Sequence, residues 1–160
     1  MAEESTPAGG TEDNGNEPQF VMQAVYLKDC SFEAPKGPRI DGQWNPQIGL
    51  DLNTSAEALG DDQREVVLTV SVTAKNGDAT AFLVEVKQAG LFTIRNIGDA
   101  DLQRAIAVVA PNVLFPYSRA LIAQLCALGG FPQLLLPPVN FEALFAQSLA
   151  QAQAGSTARN

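Results

Sequence analysis

Hydrophobic and polar positions alternate with a period of two in the middle of this chain. Apolar side chains occupy every second position of the run Glu65–Ala74 and again of the run Thr80–Gln88. This alternation is typical of strands with one buried face. The two runs flank Lys75-Asn76-Gly77-Asp78, and Asn-Gly favours a tight turn because both residues accept a positive φ. The pattern therefore predicts a β-hairpin at the centre of the fold.

Two further strands are expected before the hairpin. Phe20–Glu33 has strand composition, with a break in its alternation around Ala24–Tyr26 that indicates a β-bulge. Gln47–Asn53 alternates without a break. The intervening residues 34–46 are rich in proline and glycine, which favours an irregular, exposed connection. Residues 55–63 are expected to form a loop or a short helical turn.

The strand that follows the turn is expected to continue through Ile94, which completes four antiparallel strands. An antiparallel sheet can leave one face in water. That face is expected to collect one aliphatic side chain and several carboxylates: Leu83, Asp29, Glu33, Asp51 and Glu85.

Beyond Gly98 the apolar spacing changes to that of a helix. Asp99 is expected to cap a helix from Ala100 to about Ala110. Pro111 interrupts this pattern, and the helix resumes and runs over Tyr117–Leu128 before it ends at two glycines. Prolines inside a helical pattern predict a kink or a break.

The last part of the chain is expected to contain one more helix. Residues 131–139 are apolar but too rich in proline for a helix or a strand. Asn140 can cap a helix over Phe141–Gln151. The predicted fold class is α+β, a four-stranded antiparallel sheet with two C-terminal helices, of which the first is long and proline-interrupted. One folded domain, residues 19–151, is expected between a disordered acidic arm (1–18) and a flexible tail (152–160).

Charge narrows the range of partners. The chain has 18 acidic and 10 basic residues and a formal net charge of −8. Nucleic acid is disfavoured as a ligand because its affinity rests on Lys and Arg that neutralise phosphates. An anionic membrane surface is disfavoured for the same reason, whereas a basic protein partner would be attracted.

The residue types argue for binding rather than catalysis. Histidine is absent from the 160 residues, which removes the commonest general base and the commonest metal ligand. No phosphate-binding loop, paired Cys-x-x-Cys, nucleophile elbow or calcium-loop pattern occurs. We therefore expect a binding protein without metal or cofactor, with an enzyme that uses Asp or Lys acid–base chemistry as the alternative.

Cysteine use and the N-terminal residues indicate a cytoplasmic protein. Cys30 and Cys126 are the two cysteines, and their spacing suggests no disulfide framework, which favours a reducing compartment. The chain starts without the basic and apolar regions of a signal peptide. No apolar stretch is expected to reach the length of a membrane span.

Several apolar residues lie in segments that predict neither helix nor strand. Trp44 lies among prolines and glycines, and Leu134-Leu135-Leu136 lies between prolines. Such side chains can pack over the sheet. Alternatively, they form a hydrophobic groove or an oligomer interface, since large exposed apolar patches on soluble proteins usually mark one of these.

Phe20–Ala150 resembles the bacterial protein-export chaperone family SecB. No single block of residues is specific for this family, but the blocks occur in the same order and spacing. They are Lys28–Pro35, Leu50–Thr54, Glu65–Leu68, Thr80–Val86, Pro111–Tyr117, Phe131–Leu134 and Pro138–Phe141.

The resemblance implies an assembly and two binding surfaces. Members of the family form homotetramers, as dimers of dimers, that bind unfolded secretory precursor proteins and pass them to the motor ATPase SecA. The SecA-docking surface of the family corresponds here to Asp29, Glu33, Leu83 and Glu85. Plain solubility is the competing interpretation of these carboxylates.

The family's client groove lies between the connection after the first strand and the last helix. In this chain the resemblance assigns to it Phe32, Trp44, Leu134, Phe141 and Phe145. Core packing is the competing interpretation for each of these side chains. A chaperone on the same fold that serves another client, such as a toxin–antitoxin system, is an alternative function, and a lipid carrier is a more distant one.

Overall fold

The computed structural model describes residues 15–158 and contains the predicted four-stranded antiparallel sheet. The strands are β1 (Gln19–Glu33), β2 (Gln47–Ala58), β3 (Gln63–Asn76) and β4 (Ala79–Arg95), in the order β1-β4-β3-β2. Strands β1 and β2 therefore form the two edges. The predicted disordered arm falls largely on residues 1–14, which lie outside the described residues. Of its last residues, Gly15 and Glu17 accept hydrogen bonds from Nδ2 of Asn96 through their carbonyl oxygens.

The central hairpin forms as predicted. Asn76 pairs with Ala79, so the loop consists of Gly77 and Asp78. Gly77 has a φ of 64°, a value that favours glycine because it lacks a Cβ atom. The pairing shifts by one residue just beyond the turn, where Lys75 faces Thr80 but Ala74 faces Phe82. Ala81 is therefore the extra residue of a β-bulge.

Two strand predictions need correction. Strand β2 continues to Ala58, so most of the segment 55–63 is not a loop or a helical turn. The reason is tertiary, since residues 55–58 pair with residues 64–67 of β3. Strand β1 has register shifts between Met22 and Ala24 and between Leu27 and Asp29, two irregularities where one was predicted.

The first helix, α1, runs without a break over Asp99–Leu128. It begins as an α-helix, widens into a π-helix over Ala105–Val109 and continues as an α-helix from Ala110. The π-helical turns directly precede Pro111, which lacks the N–H that an α-helix requires and whose ring would clash with the preceding turn. Of the predicted kink or break, the break is wrong, because the helix continues through Pro111 and accommodates it by local widening. Gly98, not Asp99, is the residue at the N-cap.

The continuity of α1 also corrects the expectation about membrane spans. Within residues 15–158, α1 is one helix that is long and apolar enough to cross a membrane, with a mean hydropathy of 1.4 over an 18-residue window. In the fold, 44% of that window is buried. Its buried face packs on the sheet, which is typical of a core helix.

The core lies between α1 and the inner face of the sheet. Even-numbered residues of β3 and β4 supply this face, including Val70, Phe82 and Phe92, each at most 1% exposed. A Cβ atom on Gly90 would lie 2.5 Å from the ring of Phe92 and 3.0 Å from Cδ2 of Leu114, so the missing side chain leaves the space in which Leu114 of α1 packs on the sheet. The hydroxyl group of Ser118, buried on the same helix, has no hydrogen-bond partner among residues 15–158.

The last helix, α2, covers Phe141–Thr157. Oδ1 of Asn140 accepts a hydrogen bond from the backbone N–H of Ala143 at 3.0 Å, as a cap should. The helix extends beyond the predicted end at Gln151, so residues 152–157 are helical and the predicted loose tail is wrong for them. Phe141 is the buried residue of α2. The other large apolar residues of α2 are half-buried or exposed: Phe145, Leu144 and Leu149.

Candidate protein-binding surfaces

The outer face of the sheet carries rows of side chains that cross all strands. Partners in the register share a face, because side chains alternate along every strand. One row consists of Asp51, Ser71, Glu85 and Ser31. The next row consists of Gly49, Thr73, Leu83 and Glu33. The carboxylates expected on the outer face therefore do lie there.

Three of the four predicted docking residues line one shallow cavity. Glu33, Leu83 and Glu85 lie around a space of about 230 Å³ on the outer face. Leu83 is 37% exposed, so its aliphatic side chain is accessible at the centre of a polar surface. The cavity therefore combines one apolar contact with two carboxylates.

Asp29 lies in the following row of the same face. It pairs with Lys87 of β4, which in turn pairs with Thr69 of β3. Lys87 is the positive charge next to the predicted docking residues and was not among the predicted site residues. The face nevertheless remains acidic around the cavity, because Asp51 joins the three predicted carboxylates there.

Hydroxyl groups contribute to this face, and sequence reasoning missed them. Oγ of Ser71 donates a hydrogen bond to Oε2 of Glu85 at 3.1 Å, and Ser31 and Thr73 line the same cavity. The bond orients the Glu85 carboxylate across the boundary between β3 and β4. A hairpin register without the bulge at Ala81 would set Ser71 opposite an inward-facing residue, so the turn alone could not identify this contact.

A second polar cluster lies on the same outer face, on the far side of the row that contains Asp29 and Lys87. Tyr26 and Lys28 of β1 reach across β4, where the phenolic O–H and the ammonium group both donate hydrogen bonds to the Glu65 carboxylate of β3. These bonds cover Ala89, which is fully buried although it lies on the outer face. The Glu65 carboxylate is in contact with enough solvent to be ionised, and the two hydrogen-bond donors fix its position.

The charges of this cluster shift one another's ionisation. The hydrogen bond to Glu65 raises the pKa of Tyr26 to about 12, because the phenolate would lose that bond and face a carboxylate. Hydrogen bonds from Lys28 and then Tyr26 lower the pKa of Glu65. The hydrogen bond to Glu65 likewise raises the pKa of Lys28. All three shifts favour the hydrogen-bonded state that the structure contains.

The inner face carries an aromatic cluster at the opposite side of the sheet. Phe32 of β1 stacks on Phe82 of β4, with ring centroids 5.6 Å apart. Phe131, which follows α1, contacts both rings at centroid distances of 6.3 Å and 5.1 Å. Trp44 of the β1–β2 connection covers Phe131 at 5.7 Å. Two of the predicted groove residues, Phe32 and Trp44, are therefore joined through Phe131.

The other predicted groove residues belong to a different part of the apolar core. Phe141 contacts Phe115 of α1 edge to face at 6.0 Å. It also lines an open cavity of about 590 Å³ between α1 and the start of α2, together with Val108 and Val139. Phe145 and Leu134 pack partly buried against the common core. Among the described residues, Phe131 and Phe141 thus belong to separate sets of ring contacts, and Phe20 with Phe92 forms a third.

Apolar side chains on both helices remain uncovered. Tyr117 and Leu128 of α1 are 47% and 77% exposed, and Leu144 and Leu149 of α2 are 43% and 44% exposed. On the same helix Ile122 and Cys126 are buried, so the exposed Leu128 lies outside the face that packs on the sheet. Exposed apolar residues on two helices provide surface for contacts with other chains.

No cluster of metal ligands accompanies these surfaces. Within residues 15–158, no group of three or more Cys, Asp or Glu side chains could hold a metal ion. The two free cysteines lie apart, Cys30 exposed on β1 and Cys126 buried in α1. Burial raises the pKa of the Cys126 thiol, which favours its neutral form. The surfaces therefore offer apolar contact and carboxylates.

Comparison with known proteins gives one consistent result. Residues 13–152 match the family described as preprotein translocase subunit SecB. Protein-export protein SecB of Pseudomonas fluorescens is 51% identical over 142 residues, which cover 88% of this chain and 89% of that protein. The protein of the same name from Pseudomonas putida is 47% identical over 154 residues, or 96% of this chain and 94% of that protein.

A solved structure shares the fold. A SecB-like chaperone from Mycobacterium tuberculosis, solved in complex with a ChAD peptide from an antitoxin, has a TM-score of 0.65 and 16% sequence identity. The alignment covers 75% of this chain and 90% of that chain. Because the family match spans most of the sequence and the relatives are about 50% identical over nearly their full length, the chain belongs to the SecB family of protein-export proteins.

Proposed function

We propose that this protein is a cytoplasmic chaperone that holds unfolded precursor proteins in a translocation-competent state and delivers them to the motor ATPase SecA. One observation carries the proposal beyond family membership. Consecutive residues of the same strands serve opposite faces: Phe32 and Phe82 lie in the inner aromatic cluster, whereas Glu33 and Leu83 lie at the outer acidic cavity. Two partners can therefore bind one scaffold at the same time.

Client holding depends on apolar contact. An unfolded chain presents apolar side chains that a folded protein would bury, and adaptable loops can repack around different sequences. In our proposal Phe32 and Trp44 contact the client next to the β1–β2 connection, and Phe141 and Phe145 contact it at the start of α2. Leu134 contributes from the segment between the two helices. This mechanism requires binding alone and no chemical step or cofactor.

Delivery depends on the outer face. The carboxylates of Asp29, Glu33 and Glu85 favour a basic partner, and the exposed Leu83 adds an apolar contact among them. We infer that SecA binds here through a cationic segment. Its attraction to the acidic face would fall with ionic strength, because salt screens charges at an exposed surface.

Assembly into a homotetramer, a dimer of dimers, is part of the proposal. Support comes from exposed apolar residues on α1 and on the edge strand β1, such as Tyr117, Leu128 and Leu27. A symmetric contact between copies would cover such residues. Several client-binding surfaces in one assembly would also increase affinity for a long unfolded chain through effective concentration.

Native mass spectrometry with an unfolded client tests holding and assembly together. Reduced, carboxymethylated ribonuclease A is the client, and folded, oxidised ribonuclease A is the matched control. We expect a tetramer that binds the unfolded form and ignores the folded form. A monomer that binds neither form would contradict the proposal, as would equal binding of both forms.

A dedicated chaperone for an antitoxin is the second candidate. The similar fold of the mycobacterial SecB-like chaperone, solved with an antitoxin peptide, is the observation that favours it. At 16% identity this similarity concerns the fold, whereas relatives about 50% identical carry the protein-export name. Binding of a single antitoxin peptide with no affinity for unfolded ribonuclease A would favour this candidate.

A further inference from the structure

The aromatic cluster is closed in this structure. Trp44 is half-buried and packs on Phe131, with ring centroids 5.7 Å apart. The cavity of about 40 Å³ that Trp44 also lines lies against Asn76 and residues 79–81 and is not lined by the phenylalanines of the cluster. Phe131, which Trp44 covers, is only 5% exposed. An aromatic or large aliphatic client side chain can therefore reach Phe131 only if Trp44 moves.

One side chain fixes the backbone on both sides of Trp44. Oδ1 of Asn76 accepts a hydrogen bond from the backbone N–H of Asn45 at 2.9 Å. Nδ2 of the same amide donates a hydrogen bond to the carbonyl oxygen of Gln43 at 3.2 Å. Asn76 is the last residue of β3, next to the hairpin turn. The turn therefore holds the two residues that flank Trp44.

The connection can bend next to this attachment. Gly42, directly before the held segment, has a φ of 84°, and a glycine crosses between backbone conformations at low cost. Further back, the ring of Pro38 packs on Gly130, whose Cβ position lies 2.9 Å from Cβ of Pro38. Residues 43–45 can thus leave the turn while the earlier part of the connection stays in place.

We propose that Asn76 is a positioning residue that keeps Trp44 on Phe131, and that client binding to the aromatic cluster requires release of its two hydrogen bonds. The inference rests on the proposed function for its client-binding part. Both hydrogen bonds are exposed, so water replaces them readily and opening is frequent. A client binds the open form only. Its apparent affinity is therefore the affinity for the open form multiplied by the fraction of molecules that are open.

Removal of the Asn76 side chain should increase client affinity rather than reduce it. Two exposed hydrogen bonds, each at the weak end of the usual net strength, change the closed–open equilibrium by roughly fivefold to tenfold. If the closed form dominates, Asn76→Ala increases client affinity by the same factor. The substitution is compatible with the backbone, because Asn76 lies in a strand.

Trp44 reports the opening directly, since it is the one tryptophan of the chain. We would measure acrylamide quenching of its fluorescence without client, and binding of fluorescein-labelled, reduced and carboxymethylated ribonuclease A by anisotropy. For Asn76→Ala we expect stronger quenching and tighter binding, with a denaturation midpoint that falls slightly, because the two lost hydrogen bonds stabilise the closed folded form. Asn76→Asp keeps the acceptor for Asn45 but cannot donate to Gln43, so it should lie between Asn76→Ala and the natural protein.

Asn45→Ala is the matched control. The backbone N–H of Asn45 makes the hydrogen bond, so this variant should behave like the natural protein in both measurements. Unchanged quenching in Asn76→Ala would overturn the proposal, and so would stronger quenching without tighter binding. If the natural protein bound no unfolded chain, the proposed function would fail, whereas the quenching comparison would still decide whether Asn76 positions Trp44.

Discussion

A Cβ atom built on Gly129 would lie 2.5 Å from Cε1 of Phe32. The aromatic ring at the end of β1 therefore rests directly on the glycine that follows α1. Phe131 lies 3.3 Å from the same point. This contact joins the end of the helix to the edge strand and to the aromatic cluster, and it leaves no room for a side chain.

Substitution of Gly129 should disturb this contact. In Gly129→Ala the methyl group must displace Phe32, and overpacking of this kind costs about 1–3 kcal/mol. We expect a lower free energy of unfolding in urea, measured at one protein concentration because an oligomer's stability depends on it. Gly155→Ala is the control, because its Cβ position has no neighbour within 4 Å. Equal stability of both variants would show that the ring moves away at no cost.

The proposed separation of the two binding faces can be tested with outer-face variants. Leu83→Arg and Glu85→Lys place positive charge at the acidic cavity, and we expect each to weaken SecA binding by about tenfold or more, since like charges across an interface are costly. Binding of unfolded ribonuclease A should remain nearly unchanged. Surface plasmon resonance with immobilised SecA measures the first effect and anisotropy the second.

Asp61→Lys provides the matched control for charge. It makes the same charge change as Glu85→Lys in the β2–β3 turn, at the other end of the sheet from the docking cavity. We expect it to retain SecA binding. A parallel loss of SecA and client binding in Leu83→Arg or Glu85→Lys would contradict the assignment of separate faces.

The cluster around Glu65 predicts how stability depends on pH. The Glu65 pKa is lowered in the folded state, so its contribution is present above its ordinary pKa and is lost as the pH falls through the folded value. The Tyr26 pKa is raised from 10.0 to about 12, so its contribution is present below pH 10 and is lost as the pH rises towards 12. Glu65→Gln removes both dependences.

The stability difference between the natural protein and Glu65→Gln should therefore be largest near neutral pH and shrink at both extremes. Urea unfolding over a series of pH values measures it. Tyr26→Phe should reduce the alkaline dependence without abolishing it, because the pKa of Lys28 is also raised, and it should keep the acidic dependence, because Lys28 still donates to Glu65. A stability difference that does not vary with pH would show that the hydrogen bonds do not persist in solution.

Substitution of Ser118 by alanine should not reduce the stability of the fold. Its hydroxyl group is fully buried and has no hydrogen-bond partner in the described structure. A buried, unpaired polar group costs about 1–3 kcal/mol, so Ser118→Ala should leave stability unchanged or increase it by about 1 kcal/mol. A urea unfolding curve shifted to lower concentration would indicate that the hydroxyl group has a partner, such as a buried water molecule.

On the outer face of the sheet, the alternation of polar and apolar residues carries information about the strand register that the turn sequence alone does not. Counting back from the Asn76–Ala79 pair without a bulge would align Ser71 with Val84, although alternation puts their side chains on opposite faces. That conflict requires a one-residue shift, and the structure provides it at Ala81. A shift of one residue moves every side chain of a strand to the other face, so the alternation signals the bulge while its position stays undetermined.

In the helices, packing overrides what the local sequence favours. Pro111 and Pro116 favour a break by local criteria, yet α1 stays continuous because its apolar face gains more from packing on the sheet than the π-helical widening costs. The extension of α2 to Thr157 had no strong apolar signal. It follows from alanine and glutamine residues with good helix propensity, continued from a well-capped start.

The amino-acid sequence by itself determined the existence of the four strands, the hairpin turn, the helix cap at Asn140 and the inner and outer faces of β3 and β4, because these depend on local propensity and on a period of two. Tertiary structure alone decided that Phe32, Trp44 and Phe131 meet, that Tyr26 and Lys28 reach Glu65 across β4, and that Asn76 holds the segment around Trp44. These contacts join residues far apart in the chain. Their geometry depends on strand order, bulges and close packing at glycines, which no local pattern encodes.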